Sequence, residues 1–132
     1  MSIARKALHL TPLLVAAIAM APLSARSDGA SETVTAQTHA DLAAHAADLA
    51  GVHMHLHHVL NCLVGPGGAG FDPKEMNPCA NAGNGAIPDT ADAAKKKVLN
   101  TAADMAKSGI AATSLSTAQK TAGDIAQMLK TK

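Results

Sequence analysis

Aromatic residues are almost missing from this sequence, which contains one phenylalanine and neither tryptophan nor tyrosine among its 132 residues. Phe71 lies in a glycine-rich stretch, so the hydrophobic core has to be built from Leu, Val, Ile, Met and many alanines. A short chain buries a modest fraction of its surface, and small side chains bury little area each. We therefore expect a cross-link, a metal ion or an oligomer contact to add stability.

The motifs of several functional classes are also absent. The sequence has no G-x-S-x-G elbow and no H-E-x-x-H motif, and its glycines at 65–70 lack the lysine that completes a phosphate-binding loop. It has neither a C-x-x-C pair for thiol redox chemistry nor the C-x-x-C-H sequence that attaches haem covalently. We assign no catalytic residue and expect a binding protein rather than an enzyme.

The charge balance does not indicate a nucleic-acid partner. With histidine neutral the formal net charge is only +1. The one basic cluster, at 95–97, shares its stretch of sequence with Asp89, Asp92 and Asp104. This mixture of signs is typical of a solvated helix face, and we expect no nucleic-acid binding.

One long apolar run is present, close to the N-terminus. It follows Arg5 and Lys6 and is itself followed by small residues, which is the layout of a secretory signal peptide cleaved near Ala25. We expect removal of residues 1–25, leaving one domain over 26–132 that is periplasmic or secreted and has no membrane span. An uncleaved membrane anchor is the alternative, but the run is shorter than the roughly 20 residues that span a bilayer.

The two cysteines, Cys62 and Cys79, are predicted to form a disulfide. An even number of cysteines in a small exported domain is typical of a structural bridge. By the chain-entropy argument, closing a loop of this length contributes about 3 kcal/mol to the free energy of unfolding. The alternative is a redox or metal-binding cysteine pair.

Apolar residues recur at steps of three and four over 33–63, which predicts a helix. Gly51 is a natural point of division, because glycine costs about 1 kcal/mol in a helix interior, so one long helix and two consecutive helices are both allowed. Over 64–88 the periodicity disappears and turn signals with Gly, Pro and Asn follow one another. We predict a long loop there, held to the helix end by the disulfide.

Two more helices are predicted in the C-terminal part of the chain. Asp89 is a suitable N-cap for a helix at about 90–108 that ends at Gly109. Ser116 opens a capping-box pattern for a helix at about 117–130. The predicted fold is all-α, a small three- or four-helix bundle with a long Gly/Pro-rich loop closed by the disulfide.

Histidine is the residue type that departs most from a typical composition. Six of the seven histidines lie between residues 39 and 58, four of them in the segment 53–58. Imidazole is a common ligand of zinc, copper and nickel, and Met54 adds a soft sulfur that suits reduced copper. A polar, solvated helix face that happens to be rich in histidine is the alternative.

A helical wheel orders the histidines as candidate ligands. If Leu42 marks the apolar seam, His53 and His57 lie beside that seam and one turn apart. This i, i+4 spacing lets two imidazoles bind one ion, so they are the preferred pair. His55 and His58 fall on the outer face and form a less favourable second pair.

Further ligands are predicted upstream on the same helix. His45 falls inside the seam with Asp41 one turn before it and Asp48 three residues after it, a spacing similar to that of carboxylate metal sites in helical bundles. A buried His45 hydrogen-bonded to an aspartate is the alternative. His39 and Met54 complete the candidate set of ligands.

These patterns together predict an exported helical protein that binds a transition-metal ion for sequestration, delivery or sensing. Copper is favoured over zinc or nickel by the general affinity order of divalent ions. The alternative is a metal-free interaction module whose glycine-rich loop contacts another exported protein. A helical protein that binds haem non-covalently is a third interpretation, weakened by the lack of aromatic residues to pack on a porphyrin.

Overall fold

The computed structural model describes residues 29–130, and this part of the chain is all-helical. Its five helices are α1 (Ala30–Ala44), α2 (Leu49–Val64), α3 (Ala86–Asp89), α4 (Ala93–Ala111) and α5 (Leu115–Lys130). The predicted signal peptide, residues 1–25, lies outside the described residues. Within residues 29–130, none of the helices combines the length and the apolar character that crossing a membrane requires.

The region 33–63 forms two helices, and the chain turns before Gly51 rather than at it. Asp48 determines where α2 begins, because its carboxylate accepts a 2.7 Å hydrogen bond from the backbone N–H of Gly51. Gly51 therefore lies in the first turn of α2. A Cβ there would come within 3.3 Å of the Asp48 carboxylate, so the glycine leaves room for the cap.

The four longer helices surround a core of small and branched side chains. α1 packs against α2 and α5, and α4 packs against the same two helices. The buried face of α1 consists of Glu32 and three alanines, whereas α2 supplies larger apolar side chains: Glu32, Ala36, Ala40 and Ala43 on α1, and Val52, Leu56, Val59 and Leu63 on α2. Because the distance between two packed helices depends on the side chains at their contact, the alanines let α1 lie close to α2.

The start of α4 differs from its prediction. Asp92 caps this helix, its carboxylate accepting a 2.7 Å hydrogen bond from the backbone N–H of Lys95. Asp89, the predicted cap, instead accepts hydrogen bonds from the backbone and side chain of Asn84, at 2.7 and 3.1 Å. Its carboxylate is therefore used to hold the turn that precedes α3.

Two small residues also have roles other than the predicted ones. Gly109 does not end α4 but lies inside it, at a point where a Cβ would approach Leu56 Cδ1 within 2.6 Å. The glycine is thus explained by close packing against α2. At the start of α5, Ser114 rather than Ser116 accepts the hydrogen bond from the backbone N–H of Thr117, at 3.2 Å.

The predicted disulfide is present and ties the chain after α2 to that helix. Cys62 and Cys79 are both buried, with their Cα atoms 5.2 Å apart. Residues 65–85, all of them described, contain no helix. The bridge fixes the middle of this segment, called the stapled loop below, against the last turn of α2.

Asn61 provides a second attachment, next to the disulfide. Its side chain is fully buried, and its Nδ2 shares two hydrogens among the carbonyl oxygens of Asp72, Glu75 and Met76, at 3.0, 3.3 and 3.2 Å. Its Oδ1 accepts a 2.9 Å hydrogen bond from the backbone N–H of Asp72. The stapled loop therefore has a defined position beside the last two turns of α2.

Candidate metal centre

Three histidines from two helices meet where α1 packs against α2. His39 comes from α1, while His55 and His58 come from α2 and lie on one edge of it at i, i+3 spacing. His39 Nδ1 lies 3.2 Å from His55 Nδ1 and 3.4 Å from His58 Nδ1. One ligand nitrogen from each residue lies within 4.8 Å of the other two. We call these three residues the histidine triad.

The spacing of the nitrogens fits a metal ion. Zinc binds imidazole nitrogen at about 2.0–2.1 Å, so two such ligands at tetrahedral angles are roughly 3.3 Å apart. The Nδ1 separations of 3.2 and 3.4 Å in the triad match this value. Three imidazole ligands on one side of an ion leave a fourth position for another group.

The surroundings of the triad favour neutral imidazoles. Burial lowers the pKa of His39 from 6.5 to about 4, with smaller contributions from the charges that His58 and His55 would carry. Burial is also the main cause that lowers the pKa of His58, and the charge of His55 lowers it further. The negative charge of Glu75 raises it. Metal ligation requires the neutral form, so these two side chains are ready to bind an ion at neutral pH.

The lowered pKa of His39 predicts that the metal-free protein loses stability in acid. Between about pH 6.5 and 4 the unfolded chain binds a proton at His39 that the folded chain does not, so stability is fully present above 6.5 and falls below it. With solvent screening at this half-buried side chain, we expect a loss of about 1–2 kcal/mol. Urea unfolding with a chelator at about pH 7 and pH 4.5 measures it.

Two glutamine variants separate this effect from general acid sensitivity. His39→Gln should make the free energy of unfolding depend less on pH in this interval. His45→Gln is the matched control, because His45 is exposed, and it should keep the dependence of the parent protein. An unchanged pH dependence in His39→Gln would show that the triad does not carry the effect.

The preferred pair of the sequence analysis, His53 and His57, lies on the other edge of α2. The Nε2–H of His53 donates a 3.0 Å hydrogen bond to the carbonyl oxygen of Ala112, just after α4. The Nδ1 atom of His57 is buried and lies 3.7 Å from a carboxylate oxygen of Asp72 in the stapled loop. Each side chain thus faces a different neighbour, and neither belongs to the triad.

The remaining candidate ligands also lie outside the triad. His45 is exposed at the end of α1, where its Nδ1–H donates a 2.8 Å hydrogen bond to the carbonyl oxygen of Asp41, so the interpretation as a buried histidine is wrong. The Asp41 carboxylate lies 3.6 Å from Lys130 Nζ. Asp48 caps α2, and Met54 is 42% exposed. Of the candidate histidines and aspartates in the described part of the chain, His39, His55 and His58 are the ones that the structure brings together.

Comparison with known proteins gives no relative from which a function could be transferred. No protein-family model matches the sequence, and neither the curated proteins nor the solved structures contain a significantly similar protein.

Proposed function

We propose that this protein binds one divalent transition-metal ion through the histidine triad. The observation that supports this proposal best is the separation of His39 Nδ1 from the Nδ1 atoms of His55 and His58, 3.2 and 3.4 Å, which suits two ligands of one ion. Without an ion these close contacts are N–H···N hydrogen bonds between imidazoles, and a bound cation would use the same nitrogens as ligands. The low pKa of His39 supports the proposal, because protons then compete weakly with the metal.

Copper(II) is the ion that we expect to bind most tightly. The triad offers three imidazole nitrogens, a donor type suited to copper, zinc and nickel, and the general affinity order places copper(II) above the other two. The separations of the Nδ1 atoms also match the tetrahedral geometry that zinc prefers. Met54 is 42% exposed, so we base the preference for copper(II) on the imidazole nitrogens of the triad rather than on a soft sulfur ligand.

We further propose that the ion is carried or stored outside the cytoplasm, rather than used in catalysis. The N-terminal segment has the pattern of a secretory signal, and disulfides such as Cys62–Cys79 persist mainly in oxidising compartments. A storage or delivery protein needs an affinity site and no substrate pocket beside the ion. The sequence contains no G-x-S-x-G elbow, no H-E-x-x-H motif and no phosphate-binding loop.

Stabilisation by added metal tests this proposal. Chelator-treated protein at about pH 7 should gain stability on addition of copper(II), zinc(II) or nickel(II), saturating at one ion per chain. At a free metal concentration about 100 times Kd, the gain is about 2.7 kcal/mol. Thermal unfolding, together with metal analysis after desalting, measures both stability and stoichiometry. The proposal fails if none of the three ions gives saturable binding.

A metal-free interaction module remains the second candidate, because a groove lies beside the stapled loop. Its volume is about 750 Å³, and it runs between the glycine-rich part of the loop and α4. Residues from both walls include Val64, Gly68, Ile87, Pro88, Asn100 and Lys107. Failure of the metal titration, with binding of another exported protein that Gly67→Lys abolishes, would favour this function, because a side chain at Gly67 lines the groove and meets no other atom within 4 Å.

A further inference from the structure

Three neutral imidazoles leave a bound divalent ion incomplete in two respects. A four-coordinate ion needs one more ligand, and three uncharged donors leave a charge of +2 in a partly buried place, where an uncompensated charge is costly. A carboxylate would satisfy both requirements at once. The fourth ligand is therefore expected to be a carboxylate close to the triad.

The stapled loop places the backbone of Glu75 about one helical turn beyond His58 of the triad. Its carbonyl oxygen accepts a hydrogen bond from Asn61, which lies three residues after His58 and so about one turn further along α2. Its backbone N–H donates a 3.3 Å hydrogen bond to the carbonyl oxygen of Asp72, in the same loop. The backbone from which the Glu75 side chain extends is therefore fixed next to α2.

The carboxylate of Glu75 is not within 4.8 Å of all three ligand nitrogens of the triad, so it would have to change rotamer to join them. Its carboxylate forms no hydrogen bond and no ion pair with any other residue of the segment 29–130. Its charge nevertheless acts on His58, raising the pKa of that imidazole against the effect of burial. A side chain of three rotatable bonds that is half-buried and unpaired can change rotamer at little cost.

We propose that Glu75 is the fourth ligand of the metal ion, so that the stapled loop completes and closes the site built by the histidine triad. This inference rests on the proposed function and extends it. A site with four protein ligands retains its ion, as structural sites do, whereas three ligands and an open position are typical of catalytic sites. The closed arrangement agrees with storage and delivery.

Competition titration of the full chain with zinc(II) against a chromogenic chelator tests this proposal. Glu75→Gln removes the charge and keeps the size, and we expect its Kd to rise about 10–100-fold while the stoichiometry stays at one ion per chain. Asp104→Asn is the matched control, since Asp104 is an exposed carboxylate paired with Lys107 on α4. Its Kd should equal that of the parent protein. Circular dichroism checks that both variants are folded.

The visible spectrum of the cobalt(II) form separates ligation from the effect of a distant charge. If Glu75 is a ligand, the d–d bands shift in Glu75→Gln and stay unchanged in Asp104→Asn. A Kd within about twofold of the parent, or a weaker Kd with unchanged bands, overturns the assignment of Glu75 and leaves the triad intact. Absence of zinc binding in the parent protein overturns both this inference and the proposed function.

Discussion

Replacement of Asn61 by alanine should lower the free energy of unfolding by about 3–4 kcal/mol, the largest effect on stability that we expect from a single substitution. The side chain is fully buried and binds three carbonyl oxygens and one N–H of the stapled loop. Alanine would leave these backbone groups without their partner, and each unsatisfied buried group costs about 1–3 kcal/mol. Because water can reach part of the loop, the total loss of stability is smaller than the sum of these separate costs.

Asn100→Ala is the matched control for this prediction. Asn100 is an exposed residue inside α4, and its Nδ2 donates only to the carbonyl oxygen of Lys96, one turn earlier. The same gain in helix propensity applies to both variants, so it cancels in their comparison. Urea unfolding should show a change within about 0.5 kcal/mol for Asn100→Ala. Similar values for the two variants would mean that Asn61 does not hold the loop.

The helical fold and the disulfide follow from local features of the sequence. Periodic Leu and Val residues after residue 49 coincide with the buried face of α2, because a helix that covers a core has to repeat every 3.6 residues. The bridge between Cys62 and Cys79 follows from the number of cysteines and the expected compartment. Neither inference needs knowledge of how the helices are arranged.

The break between α1 and α2 explains why the histidines are ordered differently by the wheel and by the structure. The wheel takes its phase from Leu42, which belongs to α1 and is 46% exposed. A turn at 45–48 resets the phase, so angles counted from α1 do not apply to α2. Measured from the buried Val52 instead, His55 and His58 both lie on one flank of the buried face.

The meeting of His39 with α2 depends on tertiary packing that the sequence alone does not determine. By composition the alanines predict only a core of small side chains, but on the buried face of α1 they allow the close approach that brings His39 to the triad. The role of Asn61 in holding the stapled loop is also non-local, because its hydrogen-bond partners lie 11 to 15 residues further along the chain. Periodicity along one helix contains no information on either contact.

The relative affinities of two double variants test whether the metal ion binds at the histidine triad. His39→Ala with His58→Ala removes two of three triad ligands and should weaken binding at least about 100-fold, equivalent to about 2.7 kcal/mol. His53→Ala with His57→Ala removes the same number of imidazoles from the other edge of α2. Because neither residue faces the triad, its Kd should stay within about threefold of the parent value.

The deciding measurement is a competition titration of the parent and the two double variants with copper(II) and zinc(II) at about pH 7. Circular dichroism first establishes that all three proteins are folded. We predict that only the variant without His39 and His58 loses its high affinity for both ions. Loss of affinity in the variant without His53 and His57, with full affinity retained when His39 and His58 are removed, would place the site on the other edge of α2 and contradict the account.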